Sequence, residues 1–593
     1  MLHHNPRPVL LRVLREIYFF IENLVKKIYY FLFRPKTNGV KVIVINNGKI
    51  LLLRTGYGKK KWVIPGGMVD KGESFEVAAK RELKEESGLE VDVLTFISSF
   101  YSEPEYKKDT VRFYVTYTNV EDLIIDDQEI IDANWFSFDE LPPDRSGVVD
   151  KGIKMYNDWK MNKYNKIHFI GIGGIGMSAL ARYFLHEGKK VSGSDRSESL
   201  ITKALAKEGV NIFSSQIADN ISPDIDLVIY TEAMPKDHEE MMEAKKLGVP
   251  MMNYFEALGL VVNPYYLIAI AGTHGKTTTT AMMTDVLEEV GLDPTAVIGS
   301  LRSKTGSNFR AGKSKYAVVE ACEYKRDFLH LEPDILVITN IELDHVDYYK
   351  DLSDVQSAFR DLALKVPDTG FIVADTTNDN IKPVLMGVVA KIIDYREFVS
   401  LTISLRQPGM HNRLNAGAVR AVVKALNIDQ NLSDQALEKF SGTWRRFEYK
   451  GNFSVNDNKV EVYDDYGHHP TEIMVTISGA RELFPKEYLT VVFQSHTYTR
   501  THELFADFAK ALAKADEVIL LPIYAAREEN VSGVSNEKLA VAIAEFGVKA
   551  TVIQNPEEAV AFIKNDIYQN KGGVVMTMGA GDMTTNVAEE LVG

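Results

Sequence analysis

Between Tyr266 and Glu289 the chain passes from an unbroken apolar run, through a glycine turn, into a helical stretch. Tyr266-Leu-Ile-Ala-Ile-Ala271 reads as a buried strand, Gly272-Thr273-His274-Gly275 as a tight turn, and Lys276-Thr277 as the opening of a helix that runs from Thr278 to Glu289. Strand, glycine turn, Lys-Thr and helix in that order is an α/β arrangement that cradles a nucleoside triphosphate. Backbone N–H groups and the helix N-terminus would face the phosphates, Lys276 would add a point charge, and Thr277 would offer a hydroxyl to Mg2+. The long form of such a loop has a glycine where Ile270 stands, so the sequence carries a shortened form, Gly272-x-x-Gly275-Lys276-Thr277. The bland alternative, a solvated Gly-Thr loop, leaves the strand before it and the helix after it without a purpose.

Length and charge set the outer bounds. The 593 residues accommodate three to five domains, each large enough for its own core. A formal charge of −14 argues against non-specific nucleic-acid binding. The single cysteine, Cys322, excludes an internal disulfide and suits a reducing cytoplasm. No apolar run is long and charge-free enough to span a bilayer. Residues 1–36 differ from the rest, with seven Lys or Arg against Glu16 and Glu22. From Val9 to Phe33 the polar residues recur at helical spacing and leave a broad Leu, Ile, Phe and Tyr face, and Pro35 should stop the helix. A basic amphipathic helix over 1–35 suits the inner membrane surface, and docking on its own domain is the equal alternative.

Residues 40–55 read as a hairpin, with strands Val42–Ile45 and Ile50–Leu53 around a turn at Asn46-Asn47-Gly48. An acidic helical stretch follows Trp62-Val-Ile-Pro-Gly-Gly67. On a helix, Glu82, Glu85 and Glu86 fall at i, i+3 and i+4, so three carboxylates share one face and call for a hard cation such as Mg2+. Gly67, Glu73, Arg81, Glu82, Leu83, Glu85, Glu86, Gly88 and Leu89 fit every position of the Nudix box, and residues 36–145 resemble that family. The closing strand Val111–Tyr117 and Ala133–Pro142 extend the likeness. The resemblance implies a diphosphate hydrolase in which Glu82, Glu85 and Glu86 hold metal and Arg81 orients them. A binding module without turnover is the alternative, and the substrate stays open.

A polar linker is expected at 146–164, followed by Lys166-Ile-His-Phe-Ile-Gly171-Ile-Gly173-Gly174-Ile-Gly176, with Asp195 ending the next strand. Alone, this is a dinucleotide fingerprint and suggests an NAD-binding oxidoreductase, although the same turn binds any diphosphate at a helix N-terminus. A second nucleotide site within about 100 residues changes the reading, because such an oxidoreductase would leave Gly272–Thr277 unexplained. Together with the shortened phosphate loop, the chain from 165 to 590 resembles the Mur ligase family, in the branch that joins L-alanine to UDP-N-acetylmuramate. Further matches are Thr339-Asn-Ile-Glu-Leu-Asp-His345, Gly409-Met-His-Asn412-Arg-Leu-Asn415, Thr443-Trp-Arg-Arg446-Phe-Glu, Asp464-Asp-Tyr466-Gly-His468-His-Pro-Thr-Glu472, His496-Thr-Tyr-Thr-Arg500, Pro522-Ile-Tyr-Ala-Ala-Arg527 and Met578-Gly-Ala-Gly-Asp582.

The resemblance implies an α/β multidomain chain. A basic helix at 1–35 precedes a Nudix α/β/α sandwich with a mixed sheet at 36–150. A Rossmann-like UDP-sugar domain (165–262), a phosphate-loop ATP domain (263–435) and a Rossmann-like C-terminal domain (440–593) follow. It places ATP at Gly272, Thr273, His274, Gly275, Lys276, Thr277, Thr278, Asn412, Asn415 and Arg446. Mg2+ falls to Thr277, Glu320 and His345, with Lys276 and His345 catalytic. UDP-N-acetylmuramate falls to Gly171, Gly173, Gly174, Gly176, Asp195, Tyr466, His468, His496 and Arg500. Glu320-Ala-Cys-Glu-Tyr departs from the family's commoner Glu-Ala-Asp-Glu-Ser, as do Ser495 and Thr497 from its usual residues. A recycling ligase that attaches a preformed peptide to the same sugar nucleotide is the nearest alternative.

Overall fold

The computed structural model describes residues 36–56, 60–102, 108–125, 129–138, 141–346, 348–526, 528–530 and 533–593. The expected N-terminal helix and Arg527 lie outside them. The chain divides into two compact units, one ending at Asn165 and one spanning Lys166–Gly593.

In the first unit, the hairpin forms as its turn residues dictate. Asn47 (φ 48°) and Gly48 (φ 77°) occupy the left-handed region, and Ile45 pairs with Ile50 across the turn. Strands run in the order Trp62–Val63, Lys49–Thr55, Lys36–Asn46, Lys108–Tyr117, Thr95–Ser102, and Ile130–Ser137 also pairs with Lys49–Thr55. Only the Lys36–Asn46 and Lys108–Tyr117 pair is parallel, so the sheet is mixed. Alternation along the first strand sends Val40, Val42 and Val44 to one face, against Ala78, Ala79 and Leu83 of helix Phe75–Ser87. Ile43 and Ile45 go to the other face, against Val149 and Tyr156. The latter belong to a helix, Gly147–Asn162, which corrects the expected linker at 146–164. Its apolar residues Val149, Ile153, Tyr156 and Trp159 recur at helical spacing, and the sheet's second face gives that stripe somewhere to be buried.

The second unit holds three sheets. The first is all parallel, ordered Met251–Asn253, Leu227–Tyr230, Lys166–Ile170, Lys190–Ser194, Asn211–Phe213. The second, ordered Ser307–Arg310, Thr295–Arg302, Tyr316–Glu320, Tyr266–Ala271, Ile335–Ile338, Phe371–Ala374, Lys391–Asp394, is parallel apart from its first edge strand. The third, ordered Glu448–Val455, Asn458–Asp465, Gly573–Gly579, Tyr488–His496, Glu517–Tyr524, Lys549–Val552, has the same character. In each sheet the strand order reverses beside an early strand, and ligand crevices form at the carboxyl ends of such strands.

Helix Lys276–Glu289 is buried along almost its whole length, covered by helices Met410–Ala425 and Gln430–Lys439. Its run of threonines is a poor helix former, but burial and local bonding offset this. Thr280 Oγ1 donates to the Lys276 carbonyl at 2.8 Å and Thr284 Oγ1 to that of Thr280 at 2.7 Å.

Candidate functional site

The turn after strand Tyr266–Ala271 depends on positive φ at Gly272 (135°) and Gly275 (82°). A Cβ would strike the Thr339 hydroxyl at the first and the Asn415 amide at the second. Gly275 caps helix Lys276–Glu289 without a side-chain hydrogen bond, and the first turn carries no acidic residue, so the electropositive end of that helix keeps its charge uncompensated by its own first turn. The turn is braced by the loop beyond strand Ile335–Ile338. The Glu342 N–H donates to Thr273 Oγ1 and the His274 N–H to Asn340 Oδ1, both at 2.8 Å, and Thr339 Oγ1 donates to the His274 carbonyl at 2.6 Å.

Lys276 folds back over the turn and donates to the carbonyls of Gly272 (2.6 Å) and Thr273 (3.0 Å). Burial works against its charge, but the Glu323 carboxylate at 3.0 Å outweighs burial and holds the ammonium well above its ordinary pKa. Thr277 Oγ1 donates to Glu320 Oε2 at 2.8 Å, and the Gly299 N–H reaches the same oxygen at 3.1 Å. His345, at φ 52°, lies against the Tyr324 ring and approaches Glu323 at 3.8 Å. Thr277 and Glu320 therefore stand side by side, whereas His345 approaches Glu323 instead. Thr277 and Glu320 offer two hard oxygen donors, with the Glu323 carboxylate close by on Lys276, and such oxygens fit Mg2+.

A cavity of about 230 Å³ opens beside the turn. His274, Gly275, Thr277, Thr278, Asn412, Asn415 and Arg446 line it, whereas Gly272, Thr273 and Lys276 do not. Asn412 is fixed by donating to the Pro408 carbonyl at 2.8 Å. Across the cavity, Glu472 begins helix Pro470–Leu483 and gathers charge from both sides. His274 Nδ1 lies 3.3 Å away, Arg446 at 3.9 Å, and the His468 and His469 N–H groups donate to its second oxygen. Burial opposes the His274 charge, but Glu342 and Glu472 overcome it and raise its pKa to about 9.

The C-terminal candidates converge. Tyr466 lies beneath the guanidinium groups of Arg445 and Arg446, and the His468 ring centroid is 5.6 Å from that of His496. Arg500 contacts His496 Nδ1 at 3.2 Å and the Asp344 carboxylate at 2.8 Å, which ties the third sheet's domain to the second's. Burial pushes His468 and His496 down to about 4, so both imidazoles are neutral hydrogen-bonding groups at pH 7.

The glycine loop Gly171–Gly176 is a separate cluster. Gly171 takes φ 81°, the Gly173 N–H donates to Asp195 Oδ2 at 2.9 Å, Gly174 caps helix Ile175–His186, and a Cβ at Gly176 would enter the Tyr254 ring. Burial, and then the nearby Glu320 charge, push the phenol of Tyr254 up. No hydrogen bond among the described residues links the glycine loop to Tyr466, His468, His496 or Arg500.

In the first unit, helix Phe75–Ser87 presents its carboxylates together. Arg81 donates to Glu73 (2.9 Å), Glu82 (2.9 Å) and Glu85 (3.1 Å), and Glu86 accepts the Gly66 N–H at 2.7 Å. Gly67 has no room for a Cβ because the Glu82 carboxylate fills that space. Burial pushes Glu82 and Glu86 up, which a dication would reverse, so these oxygens also fit Mg2+. Buried Lys41 donates to the Ile64 carbonyl at 2.9 Å and to the Gly66 carbonyl, beside both glutamates.

Sequence reasoning passed over Lys41, Glu323 and Glu472 as site residues. Lys41 carries the faint signal of a charge inside an apolar strand. Glu323 and Glu472 sit within quoted motifs, but their partners come from distant segments.

A phosphate-type turn beside a hard-oxygen cluster, in three linked α/β domains, defines an ATP-dependent amide-forming ligase, carried on the same chain as a Nudix domain. The family comparisons agree. Residues 166–266 match "Mur ligase family, catalytic domain", 270–395 "Mur ligase middle domain", 445–581 "Mur ligase, glutamate ligase domain", and 35–155 "NUDIX domain". The UDP-N-acetylmuramate–L-alanine ligase of Clostridium perfringens is 38% identical over 445 residues, 70% of this chain and 96% of that protein. That of Lachnospira eligens is 41% identical over 456 residues, covering 72% and 97%. Among solved structures, the UDP-N-acetylmuramate–alanine ligase of Thermotoga maritima aligns with TM-score 0.60 at 31% identity, covering 71% of this chain and 97% of its own. The chain belongs to the Mur ligase family.

Proposed function

We propose that the second unit joins L-alanine to UDP-N-acetylmuramate with cleavage of ATP, a step in building peptidoglycan precursors in the cytoplasm. The observation that carries this reading is the single cavity on which His274, Gly275, Thr277, Thr278, Asn412, Asn415 and Arg446 converge, beside the Thr277–Glu320 pair. The likeness to L-alanine ligases along nearly their whole length supports the substrate choice.

A carboxylate is a poor acyl donor, so the lactyl carboxylate takes the γ-phosphoryl group of ATP and ADP leaves. The amine of L-alanine then attacks the acyl carbon, inorganic phosphate departs, and the nitrogen gives up a proton. Thr277, Glu320 and His345 would hold Mg2+, which would supply charge neutralisation at the phosphates. Lys276 exchanges its Glu323 partner for the transferring phosphoryl group, and the open helix end bears on the same charge. Arg446 and Asn412 position the nucleotide. The Gly171–Gly176 loop with Asp195 takes the UDP end. Tyr466, His468, His496 and Arg500 take the muramate and amino-acid end, with the neutral imidazoles orienting by hydrogen bonds.

The first unit hydrolyses a nucleoside diphosphate linked to another group. Glu82, Glu85 and Glu86 would hold Mg2+, which would supply water activation and charge neutralisation there, and Arg81 fixes the carboxylates. Residues 1–35 contact the inner face of the membrane. The test of the ligase reading is product formation from UDP-N-acetylmuramate, L-alanine and Mg·ATP by the full chain. Lys276→Ala should lower kcat by at least ~10²–10³. Full activity in that variant, or a preference for a preformed tripeptide over L-alanine, refutes the assignment.

A further inference from the structure

We propose that His274, Glu342 and His469 form a site for a divalent transition ion of the zinc class, distinct from the oxygen-lined Mg2+ positions. One ligand atom from each residue lies within 4.8 Å of the others. Two imidazoles and one carboxylate, with the fourth position open, are a donor set that suits zinc and not magnesium. A tetrahedral ion with bonds of about 2.0–2.1 Å holds its ligand atoms roughly 3.3 Å apart. His274 Nε2 and Glu342 Oε2 already stand 3.5 Å apart, so that pair needs almost no adjustment.

The surroundings also fit an ion. His469 is 6% exposed and its Nε2 has no hydrogen-bond partner. His274 Nε2 is likewise buried without one, and the two rings face each other with centroids 4.8 Å apart. On its far side, His274 Nδ1 lies 3.3 Å from the Glu472 carboxylate, the outer-shell arrangement that fixes a metal-binding imidazole. Thr471 Oγ1 donates to Glu342 Oε2 at 2.9 Å and orients that ligand in turn. Glu342 and Glu472 supply the negative charge a dication requires. The adjustment falls on both histidines: His274, which Glu342 and Glu472 hold protonated, releases its Nε2 proton to solvent as the ion binds, and His469 must shift its own. Binding through Nε2 moves its proton to Nδ1, which must then release the Thr471 N–H, a contact already long at 3.3 Å.

The three ligands come from the phosphate-type turn, the loop after strand Ile335–Ile338 and the start of helix Pro470–Leu483. An ion here would fasten the domain of the second sheet to that of the third, at the wall of the cavity. The test uses Co2+ as a spectroscopic probe on the full chain, in metal-free buffer without nucleotide. The expected result is one equivalent of Co2+ giving the intense visible absorption of a four- or five-coordinate nitrogen-containing site, displaced by Zn2+. His469→Asn keeps an N-cap residue at the helix start while removing Nε2. It should abolish the band and weaken Co2+ binding by more than the ~10–100-fold typical of losing an outer-shell partner. Glu342→Gln should weaken binding in the same direction, and His345→Ala should leave the band in place. Absence of the band in the wild type, its persistence in His469→Asn, or its loss in His345→Ala overturns the proposal. Because the readout is metal binding, it stands or falls independently of the ligation assay.

Discussion

Glu472→Gln removes one of the two carboxylates that hold His274 charged between the domains. His274 has a pKa of about 9 against an ordinary 6.5, and its side chain is only 12% exposed. That difference corresponds to about 3 kcal/mol of preference for the protonated ring in the folded chain. Because the folded pKa lies above the unfolded one, this stabilisation is fully present below pH 6.5 and is lost as pH rises through 9. Burial opposes this charge, so Glu342 and Glu472 together contribute more than the net, and Glu472, through the same kinds of contact, accounts for at least about 1.5 kcal/mol. The neutral amide keeps the shape but not the charge. In nucleotide-free protein with chelator present, the His274 midpoint should fall by at least about one pKa unit, read from imidazole proton–carbon NMR. Denaturant unfolding should show a correspondingly smaller loss of stability between pH 6.5 and pH 9. An unchanged His274 midpoint in Glu472→Gln would refute the argument that the two acids share control of this histidine.

Glu85→Gln with Glu86→Gln should abolish Mg2+-dependent diphosphate hydrolysis while ligation continues, since the two units carry separate acidic clusters; absence of hydrolysis by the wild type over a broad substrate panel would mark the first unit as a binding module. Arg445→Met should destabilise the C-terminal domain by about 3–5 kcal/mol, because it strands the buried Asp464 carboxylate, 2.9 Å from Arg445 Nε, and removes donors from the Gly579 and Gly581 carbonyls. Hydrogen exchange in strand Gly573–Gly579 checks it, and unchanged protection there contradicts the reasoning. The full chain should co-sediment with anionic vesicles in a salt-sensitive way and a 36–593 chain should not, since each basic residue contributes about 1 kcal/mol at such a surface. Equal sedimentation of both would refute membrane contact by residues 1–35.

Local chemistry was legible in the chain because it depends on spacing. The Nudix glutamates share a face wherever a helix forms over Phe75–Ser87, and that helix has its Ser74 cap and left-handed Gly88 stop in the sequence. The turn Gly272–Gly275 announces itself because only glycine accepts its backbone, and the strands that end at Glu320 and Ile338 show as apolar runs. The helix Gly147–Asn162 was not legible in the same way. Its polar residues look like a linker until the second face of the sheet is there to bury Val149 and Tyr156. Tertiary structure alone decided which charges meet. Lys276 finds Glu323 at a separation of 47 residues, Arg500 finds Asp344 across 156, and His274 finds Glu472 across 198. Spacing along the chain cannot foresee such pairs, because they exist only where folded domains bring distant loops together and exclude the water that would otherwise screen them.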